Sequence, residues 1–220
     1  MATIYWASDS TVQYNDIMTY PQTGIGQVFG LYLKPEVCVS NHAKNGRSTK
    51  SFIEEFRLAK IENDITKGDF LFIEFGHNDE KKEDPLRYTE PDGTYKYNLK
   101  QYINVARNKQ AYPVLITPLE RCHFANAVKL EQSAHEEYAK AMIEVGNRLN
   151  VPVIDLWTAS RKMLEAAGES ESISWFMPDY THLQYKGAVK FAGCIAEGLC
   201  QLGNPYKALL LDTYIKKSSL

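Results

Sequence analysis

Five short runs of mostly apolar residues, separated by longer stretches with helical spacing, constrain the fold of this chain more than any other feature. The runs are residues 3–7, 37–40, 70–75, 114–117 and 153–156. They are rich in Val, Ile, Leu and Phe without strict alternation, which is typical of parallel strands buried on both faces. The alternation of strands and helices predicts an α/β fold, a doubly wound sandwich.

Six helical stretches lie between and after these strands, at residues 25–33, 49–66, 98–108, 133–149, 159–167 and 183–202. The stretch at 49–66 fits either a broken or a whole helix. The segment 80–97 is polar and contains Pro85, Pro91 and an Asp92-Gly93 pair. We expect a long loop there, which either shapes a substrate site or is simply exposed to solvent. A length of 220 residues favours a single domain spanning residues 1–220.

The composition argues against several classes of protein. A formal net charge of −2 lacks the basic excess of a nucleic-acid binder, and no run of about 18 apolar residues predicts a membrane-spanning helix. The first residues show no signal-peptide pattern, so we expect a cytoplasmic protein. The cysteines have no paired or zinc-type spacing, which favours buried free thiols at Cys38, Cys122, Cys194 and Cys200.

Polar residues follow the predicted strands at the points where these strands end. Ser10 comes after the first strand, Gly46 after the second and Asn78 after the third. Asp179 and His182 follow the fifth strand after a helix and a loop. Because ligands of open α/β sheets bind at the carboxyl ends of the strands, we expect these residues to converge on one edge.

The residue types at this edge match acyl transfer without a metal. Ser10 offers a hydroxyl nucleophile, while the Gly46 backbone N–H and the Asn78 carboxamide offer donors for a developing oxyanion. Each residue also has a plainer interpretation that the sequence leaves open. Ser10 fits an ordinary turn or a helix cap, Gly46 fits an Asn-Gly turn, and Asn78 fits an Asx-turn or a cap.

The spacing of Asp179 and His182 lets the carboxylate reach one imidazole nitrogen while the other faces Ser10. The carboxylate would then fix the tautomer of the base and stabilise its charged form. Thr181 and Gln184 match a capping box, which predicts His182 at the first position of the last long helix. The alternative is a surface capping motif with a solvated histidine.

The other histidines have no partner at catalytic spacing. His77 adjoins Asn78 and joins Arg47 and His123 as a candidate for the substrate pocket, whereas His135 is expected to be structural or exposed. The Gly-His-Asn-Asp sequence at 76–79 is similar to the Gly-Asn-His-Asp of dinuclear metallophosphoesterases. Its order differs, and no Asp-x-His follows the first strand. We therefore predict no catalytic metal and no cofactor.

These motifs together resemble those of the SGNH hydrolase superfamily, and more narrowly those of its rhamnogalacturonan acetylesterase family. The resemblance covers roughly residues 3–202, and the spaces between the motifs match as well. The matching sequences are DSTV at 9–12, PQTGIGQ at 21–27, NGRSTKSF at 45–52, GD at 68–69, FGHND at 75–79, TP at 117–118, DYTH at 179–182 and GA at 187–188.

The resemblance implies a three-layer α/β/α sandwich with a five-stranded parallel sheet. It implies Ser10 as the nucleophile, His182 as the base and Asp179 as the residue that orients the base. The oxyanion hole would consist of the backbone N–H groups of Ser10 and Gly46 and the side chain of Asn78. Members of the family remove acetyl groups from pectic rhamnogalacturonan.

The prediction is therefore a serine carbohydrate esterase that removes O-acetyl groups from pectic rhamnogalacturonan oligosaccharides through an acetyl-enzyme. Its expected partner is the acetylated oligosaccharide, with no nucleic acid and no membrane; the oligomeric state is left open. The alternatives are an SGNH lipase or thioesterase, an acetyl xylan esterase, and a sugar-binding module with a disabled site. One departure from the family pattern, Ser8 in place of the usual Gly, could crowd the acyl pocket or alter the turn.

Overall fold

The computed structural model describes residues 2–133 and 135–217. Its strands are β1 (Thr3–Ala7), β2 (Cys38–Asn41), β3 (Phe70–Glu74), β4 (Tyr112–Ile116), β5 (Phe124–Asn126), β6 (Lys129–Leu130) and β7 (Val153–Ile154). Five of them form a parallel sheet in the order β2-β1-β3-β4-β7, and β5 and β6 form a separate antiparallel hairpin. This order places the topological switch point between β1 and β3, where ligands of such sheets bind.

Helices cover both faces of the sheet. They are α1 (Ile25–Val28), α2 (Thr49–Glu54), α3 (Arg57–Asp64), α4 (Lys96–Asn108), α5 (His135–Leu149), α6 (Leu156–Ala167), α7 (Glu169–Ser172), α8 (Tyr185–Leu202) and α9 (Asp212–Lys217). One face packs against α1, α6 and α8, and the other packs against α2, α3, α4 and α5. The predicted three-layer α/β/α sandwich with a five-stranded parallel sheet is confirmed.

The strands lack polar alternation because both of their faces are buried. Every residue of β3 is buried. On one face, the ring of Trp6 meets those of Phe29 and Phe72 edge to face, with centroids 5.2 and 5.3 Å apart. On the other face, the Phe75 ring packs 5.4 Å from that of Tyr102. These two apolar layers hold the carboxyl ends of the strands in fixed register.

The predicted elements are present, with bounds that shift where one residue changes the backbone. The stretch at 49–66, expected as a broken or a whole helix, is broken into two helices, because Phe56 adopts a left-handed φ of 59° between α2 and α3. α1 passes into a 3-10 turn at Phe29–Tyr32. α6 begins earlier than predicted because the Asp155 side chain accepts the backbone N–H of Thr158 as an N-cap.

The segment 80–97 is held against the sheet edge and α5. The Tyr138 hydroxyl donates to the backbone oxygens of Asp79 and Thr89, at 2.9 and 2.7 Å. Thr89 and Tyr95 are buried, and the segment ends in a helical turn at Pro91–Tyr95 that leads into α4. This anchoring gives the polar segment a defined position beside the predicted site.

The cysteines are free thiols, as expected, but they differ in burial. Cys122 is buried, and Cys194 and Cys200 are partly buried. Cys38 is exposed, so the expectation of burial is wrong there. The reason is topological, because β2 is an edge strand of the sheet.

Residues 209–210, which follow α8, pack on the rest of the chain. Leu209 and Leu210 are buried in the apolar layer of α8, and the backbone N–H of Lys34 donates to Leu209 O at 3.0 Å. No helix in the described part of the chain has the length and the hydropathy that a membrane crossing requires. The cytoplasmic location stays a prediction.

Candidate active site

Ser10 lies in the turn directly after β1, at the carboxyl edge of the sheet. His182 Nε2 lies 2.9 Å from Ser10 Oγ, and His182 Nδ1 lies 2.6 Å from Asp179 Oδ2. The turn after β1 is closed by the backbone N–H of Gln13, which donates to Asp9 O at 3.1 Å. The structure thus brings the three predicted catalytic residues into one chain of hydrogen bonds, from carboxylate through imidazole to hydroxyl.

The backbone around Asp179 differs from the predicted capping box. α8 begins at Tyr185, so His182 precedes the helix instead of occupying its first position. Asp179 Oδ1 accepts the backbone N–H groups of Thr181 and His182, at 3.0 and 2.9 Å. The capping box does not form, because Asp179 Oδ1 accepts the Thr181 N–H and Trp175 O accepts the Gln184 N–H at 2.9 Å. One carboxylate oxygen therefore holds the loop while the other holds the imidazole.

Asp179 is held in its ionised form. Burial raises the pKa of this carboxyl, but hydrogen bonds from the His182 ring and from the backbone N–H groups of His182 and Thr181 outweigh burial, so the pKa lies below its usual value. A carboxylate beside Nδ1 favours the tautomer with its proton on that nitrogen. Nε2 of the neutral imidazole is then free to accept the Ser10 proton.

Asn78 and Gly46 lie beside Ser10 at the same edge. The Asn78 Nδ2 group donates to Arg47 O at 3.1 Å and contacts Asp9 Oδ2 at 3.4 Å. Gly46 has a φ of 78°, a left-handed conformation that favours glycine. Arg87, which sequence reasoning missed, donates from Nη1 to Asn78 Oδ1 at 3.2 Å. This contact directs the Asn78 amide nitrogen toward the Ser10 loop.

A buried acidic network lies behind the nucleophile turn. The Ser8 hydroxyl donates to Glu74 Oε2, and the Thr11 hydroxyl lies 3.1 Å from the same oxygen and 2.9 Å from Asp9 Oδ1. Burial and the neighbouring Asp9 raise the pKa of Glu74 to about 8, against the opposing hydrogen bonds of Ser8 and Thr11. Ser8 is thus completely buried and bonded to β3.

The sequence contains one indication of this network, because Glu74 is the one charged residue in the otherwise apolar run 70–75. The Ser8 that replaces the family glycine supplies one of the hydrogen bonds to that residue. Burial likewise raises the pKa of Asp9, although the Thr11 backbone N–H and hydroxyl both oppose the shift. A largely protonated Glu74 avoids placing two adjacent buried negative charges at this position.

His77 is buried instead of facing an open pocket. It is 3% exposed, and neither ring nitrogen has a hydrogen-bond partner among the described residues. Its Nδ1 lies 3.7 Å from Asp9 Oδ2, and its ring centroid lies 4.2 Å from that of His135. Burial, together with the positive charges of His135 and Arg121, holds the pKa of His77 well below its usual value. A neutral imidazole therefore packs beneath the site.

His135 is structural, in line with one of its two expected interpretations. Its Nδ1 pairs with Glu80 Oε2 at 2.6 Å, and Arg121 Nη1 pairs with the other oxygen of Glu80 at 2.5 Å. Burial raises the pKa of Glu80, but the hydrogen bond from His135 and the charges of both partners bring it below its usual value. This cluster fastens α5 to the start of the segment 80–97.

Arg47 and His123 lie on different sides of the site. Arg47 is engaged with Glu55, at 2.9 Å from both Nε and Nη2. His123 is exposed, with its ring 5.8 Å from that of Tyr180. With Arg121 it lines a cavity of about 230 Å³. Within residues 2–133 and 135–217, no group of three or more His, Cys, Asp and Glu side chains is arranged to hold a metal ion.

The fold and this hydrogen-bonded site are those of a carboxylic ester hydrolase. Residues 9–188 match the model of the GDSL-like Lipase/Acylhydrolase family, and the chain belongs to this family. The predicted membership of the GDSL-type SGNH hydrolases and the predicted ester hydrolase activity are confirmed.

Two curated relatives are similar over nearly the whole chain. The "Probable rhamnogalacturonan acetylesterase YesY" of Bacillus subtilis (strain 168) is 44% identical over 220 residues, which cover 97% of this chain and 98% of the relative. The "Rhamnogalacturonan acetylesterase RhgT" of the same organism is 40% identical over 223 residues, which cover 95% of this chain and 94% of the relative.

Solved structures share the fold at lower identity. The protein YXIM of Bacillus subtilis has a TM-score of 0.80 and 23% identity, with 93% of this chain matched to 57% of that chain. An acetylxylan esterase from Geobacillus stearothermophilus has a TM-score of 0.68 and 16% identity, with 93% of this chain matched to 95% of that chain. These likenesses concern the fold alone.

Proposed function

We propose that this protein is a serine carbohydrate esterase that removes O-acetyl groups from pectic rhamnogalacturonan oligosaccharides through an acetyl-enzyme intermediate. The observation that carries the proposal is the hydrogen-bonded series Asp179–His182–Ser10, with contacts of 2.6 and 2.9 Å. The names and the high identity of the two Bacillus relatives support acetylated rhamnogalacturonan as the substrate class.

Acylation uses Ser10 and His182 in two roles. Ser10 Oγ attacks the acetyl carbonyl carbon while His182 Nε2 takes the hydroxyl proton. The carbonyl oxygen becomes an oxyanion, which the backbone N–H groups of Ser10 and Gly46 and the Asn78 Nδ2 group stabilise. When the tetrahedral intermediate collapses, the C–O bond to the sugar breaks and His182 returns the proton to the sugar oxygen. Ser10 is left as its acetyl ester.

Deacylation repeats these steps with water. His182 Nε2 takes a proton from a water molecule, and the resulting hydroxide oxygen attacks the acetyl carbon of the Ser10 ester. The second tetrahedral intermediate collapses, the bond to Ser10 Oγ breaks, and the proton on His182 passes to that oxygen. Acetate leaves and the free hydroxyl is restored.

The Asp179→Asn variant tests the role of the carboxylate. An amide at this position removes the charge beside Nδ1 and permits the wrong imidazole tautomer, so we expect kcat to fall by about 10²–10⁴-fold. Initial rates of acetate release measure the effect, with Glu36→Gln, which changes an exposed carboxylate ahead of β2, as the control. A kcat within twofold of wild type would exclude Asp179 as the orienting residue.

The substrate pocket is proposed to include Arg47 and His123 at its surface, with the buried His77 beneath it. The alternative of a lipase or thioesterase requires an apolar groove for a long acyl chain, whereas the anchored segment 80–97 beside the site is polar. An acetyl xylan esterase remains the nearest rival, since it would use the same mechanism on a different sugar. The intact Ser10–His182–Asp179 series argues against a sugar-binding module with a disabled site.

The test is acetate release from acetylated rhamnogalacturonan oligosaccharides, with acetylated xylo-oligosaccharides and long-chain acyl esters in parallel and Ser10→Ala as the control. We expect release from the first substrate and none by Ser10→Ala. Release from xylo-oligosaccharides alone would keep the mechanism and discard the pectic substrate. Full activity of Ser10→Ala, or failure of a fluorophosphonate to label Ser10, would discard the mechanism.

A further inference from the structure

A cavity of about 900 Å³ lies between the segment that follows Ser10 and the start of α8. Its walls include three tyrosine side chains with large exposed fractions, Tyr14 at 68%, Tyr20 at 77% and Tyr185 at 59%. Gln22 and Lys186 also line it. Exposed aromatic side chains gathered around one cavity mark a binding surface more often than single exposed residues do.

The cavity adjoins the catalytic residues through both of its walls. On one wall, Gln184 is two residues from His182, which limits the distance between their Cα atoms to about 8 Å. On the other wall, Tyr14 is four residues from Ser10. The walls are joined by the backbone N–H of Thr23, which donates to Leu183 O at 2.8 Å. A ligand that extends from the reacting group in this direction enters the cavity directly.

Hydrogen bonds fix the loop that carries the tyrosines. The Gln27 side chain accepts the backbone N–H of Asn15 at 3.2 Å and donates to its carbonyl oxygen at 3.1 Å. The Asp16 carboxylate accepts the backbone N–H of Met18 at 2.8 Å. The loop backbone is thus satisfied internally. In contrast, the side chain of Gln22 and the Tyr14 hydroxyl have no hydrogen-bond partner among the described residues.

We propose that this cavity is a carbohydrate subsite, which binds the pyranose rings that flank the acetylated sugar of the substrate. The inference rests on the proposed function and adds to it a place for the rest of the oligosaccharide. A sugar ring presents an apolar C–H face that packs on an aromatic ring, together with hydroxyls that bond to free amides and phenols. Tyr14, Tyr185 and Gln22 supply these complementary groups.

The chemistry of the walls fits an oligosaccharide better than an acyl chain. A pocket for an acyl chain needs continuous apolar lining, whereas this cavity combines tyrosine rings and Ile17 with amides and the Asp16 carboxylate. The Lys186 ammonium lies 3.7 Å from Glu171 with its side chain 55% exposed, so it remains accessible to a uronate carboxylate. A volume of about 900 Å³ also exceeds what an acetyl group alone requires.

The experiment compares Tyr14→Ala and Tyr185→Ala with wild type on two substrates, an acetylated rhamnogalacturonan oligosaccharide and 4-nitrophenyl acetate. Only the oligosaccharide extends into the cavity. We expect the ratio of kcat/KM values, oligosaccharide over small ester, to fall about five- to tenfold in each variant, mainly through KM. Tyr14→Phe and Tyr185→Phe should retain most of the ratio, because the stacking ring remains and only the hydrogen bond of the phenol is lost. Tyr97→Ala, which removes an equally exposed tyrosine on α4, is the matched control.

A second measurement separates this inference from the proposed function. Calorimetric titration of Ser10→Ala protein with deacetylated rhamnogalacturonan oligosaccharides reports on the subsite without any reaction. Loss of binding on adding Tyr185→Ala supports the subsite even if no acetate release is found. Equal affinity with and without the tyrosine overturns it. Three other outcomes would also overturn it. They are an equal loss of kcat/KM on both substrates, a selective loss on long-chain acyl esters, and a change of oligomeric state in sedimentation.

Discussion

Arg87 determines which way the Asn78 carboxamide faces. The two ends of a carboxamide have nearly the same shape, but only the oxygen can accept a hydrogen bond from a guanidinium group. Because Arg87 Nη1 lies 3.2 Å from Oδ1, the amide nitrogen is left on the side of Asp9 and the nucleophile turn. An arginine in the polar segment 80–97 therefore prepares the proposed oxyanion donor.

We predict that Arg87→Met lowers kcat about tenfold on a small acetyl ester with little change in KM, since Asn78 loses the bond to its Oδ1 and is then held only by the contacts of Nδ2 with Arg47 O and Asp9. Asn78→Ala should cost more, about 10²–10³-fold in kcat. In the Asn78→Ala background, Arg87→Met should have no further effect, which a double-mutant cycle measures. Arg57→Met, at another arginine paired with a surface carboxylate, serves as control. Additive losses in the cycle would contradict a positioning role for Arg87.

The sequence predicted the site residues that belong to short motifs and missed those that act through folded contacts. Ser10, Asp179 and His182 were predictable because their order and spacing are properties of the chain. Arg87 was not, because the path of a polar segment without periodicity depends on its anchoring to α5 by the Tyr138 hydroxyl. Glu74 was predictable in principle, because a carboxyl group inside a buried strand requires polar partners.

The start of α8 determines the position of the His182 loop. Gly187 lies in the first turn of this helix, and a Cβ built on it would be 2.2 Å from Trp175 O. The backbone N–H of Gln184 donates to the same carbonyl group at 2.9 Å. The close approach of the helix to residue 175 therefore fixes the segment that carries Asp179 and His182.

We predict that Gly187→Ala destabilises the protein by about 1–3 kcal/mol and lowers kcat, because the helix must move away from Trp175 and take the His182 loop with it. Urea unfolding and esterase rates on the purified variant measure both effects. Gly30→Ala is the matched control, since a Cβ there meets no atom within 4 Å. Wild-type stability of Gly187→Ala would show that this contact relaxes without consequence.

The positions of the helices and strands followed from the apolar pattern. Their ends depended on single backbone conformations and on which acceptor takes each backbone N–H group. The break at Phe56 has no glycine or proline to announce it, so the pattern at 49–66 was continuous across it. The capping box at 181–184 was a valid local pattern, but Asp179 Oδ1 and Trp175 O accept the two backbone N–H groups that it requires. Both the break and the missing capping box depend on single backbone conformations that tertiary contacts select.

Three buried carboxyl groups at the carboxyl edge link the stability of the whole molecule to pH. Burial raises the pKa of Asp9, raises that of Asp79 to about 7 and, with the charge of Asp9, raises that of Glu74 to about 8. An acid whose pKa is raised on folding stabilises the folded state fully below its unfolded pKa. That stability is lost as the pH rises through the folded pKa.

We predict that Glu74→Gln flattens the pH dependence of stability. Between about pH 4.5 and pH 8 the folded protein keeps a proton on Glu74 that the unfolded chain has released. The free energy of unfolding should therefore fall by up to about 1.4 kcal/mol per pH unit from this group. Glutamine mimics the protonated acid and removes this dependence.

Urea unfolding of wild type and Glu74→Gln from pH 5 to pH 9 measures the difference in slope. Exposed Glu54→Gln is the control, and its curve should run parallel to that of wild type. Parallel curves for wild type and Glu74→Gln would mean that Glu74 is already ionised in the folded protein.

The hydrogen bond between Ser10 and His182 joins residues that are 172 positions apart. During synthesis the serine leaves the ribosome well before its base does. A nascent chain therefore carries an inert hydroxyl until residue 182 has been made, and a ribosome that stalls before that point releases no hydrolase. Esterase activity arises only when the segment that carries His182 has docked beside β1, so it reports that these two distant parts of the chain have folded together.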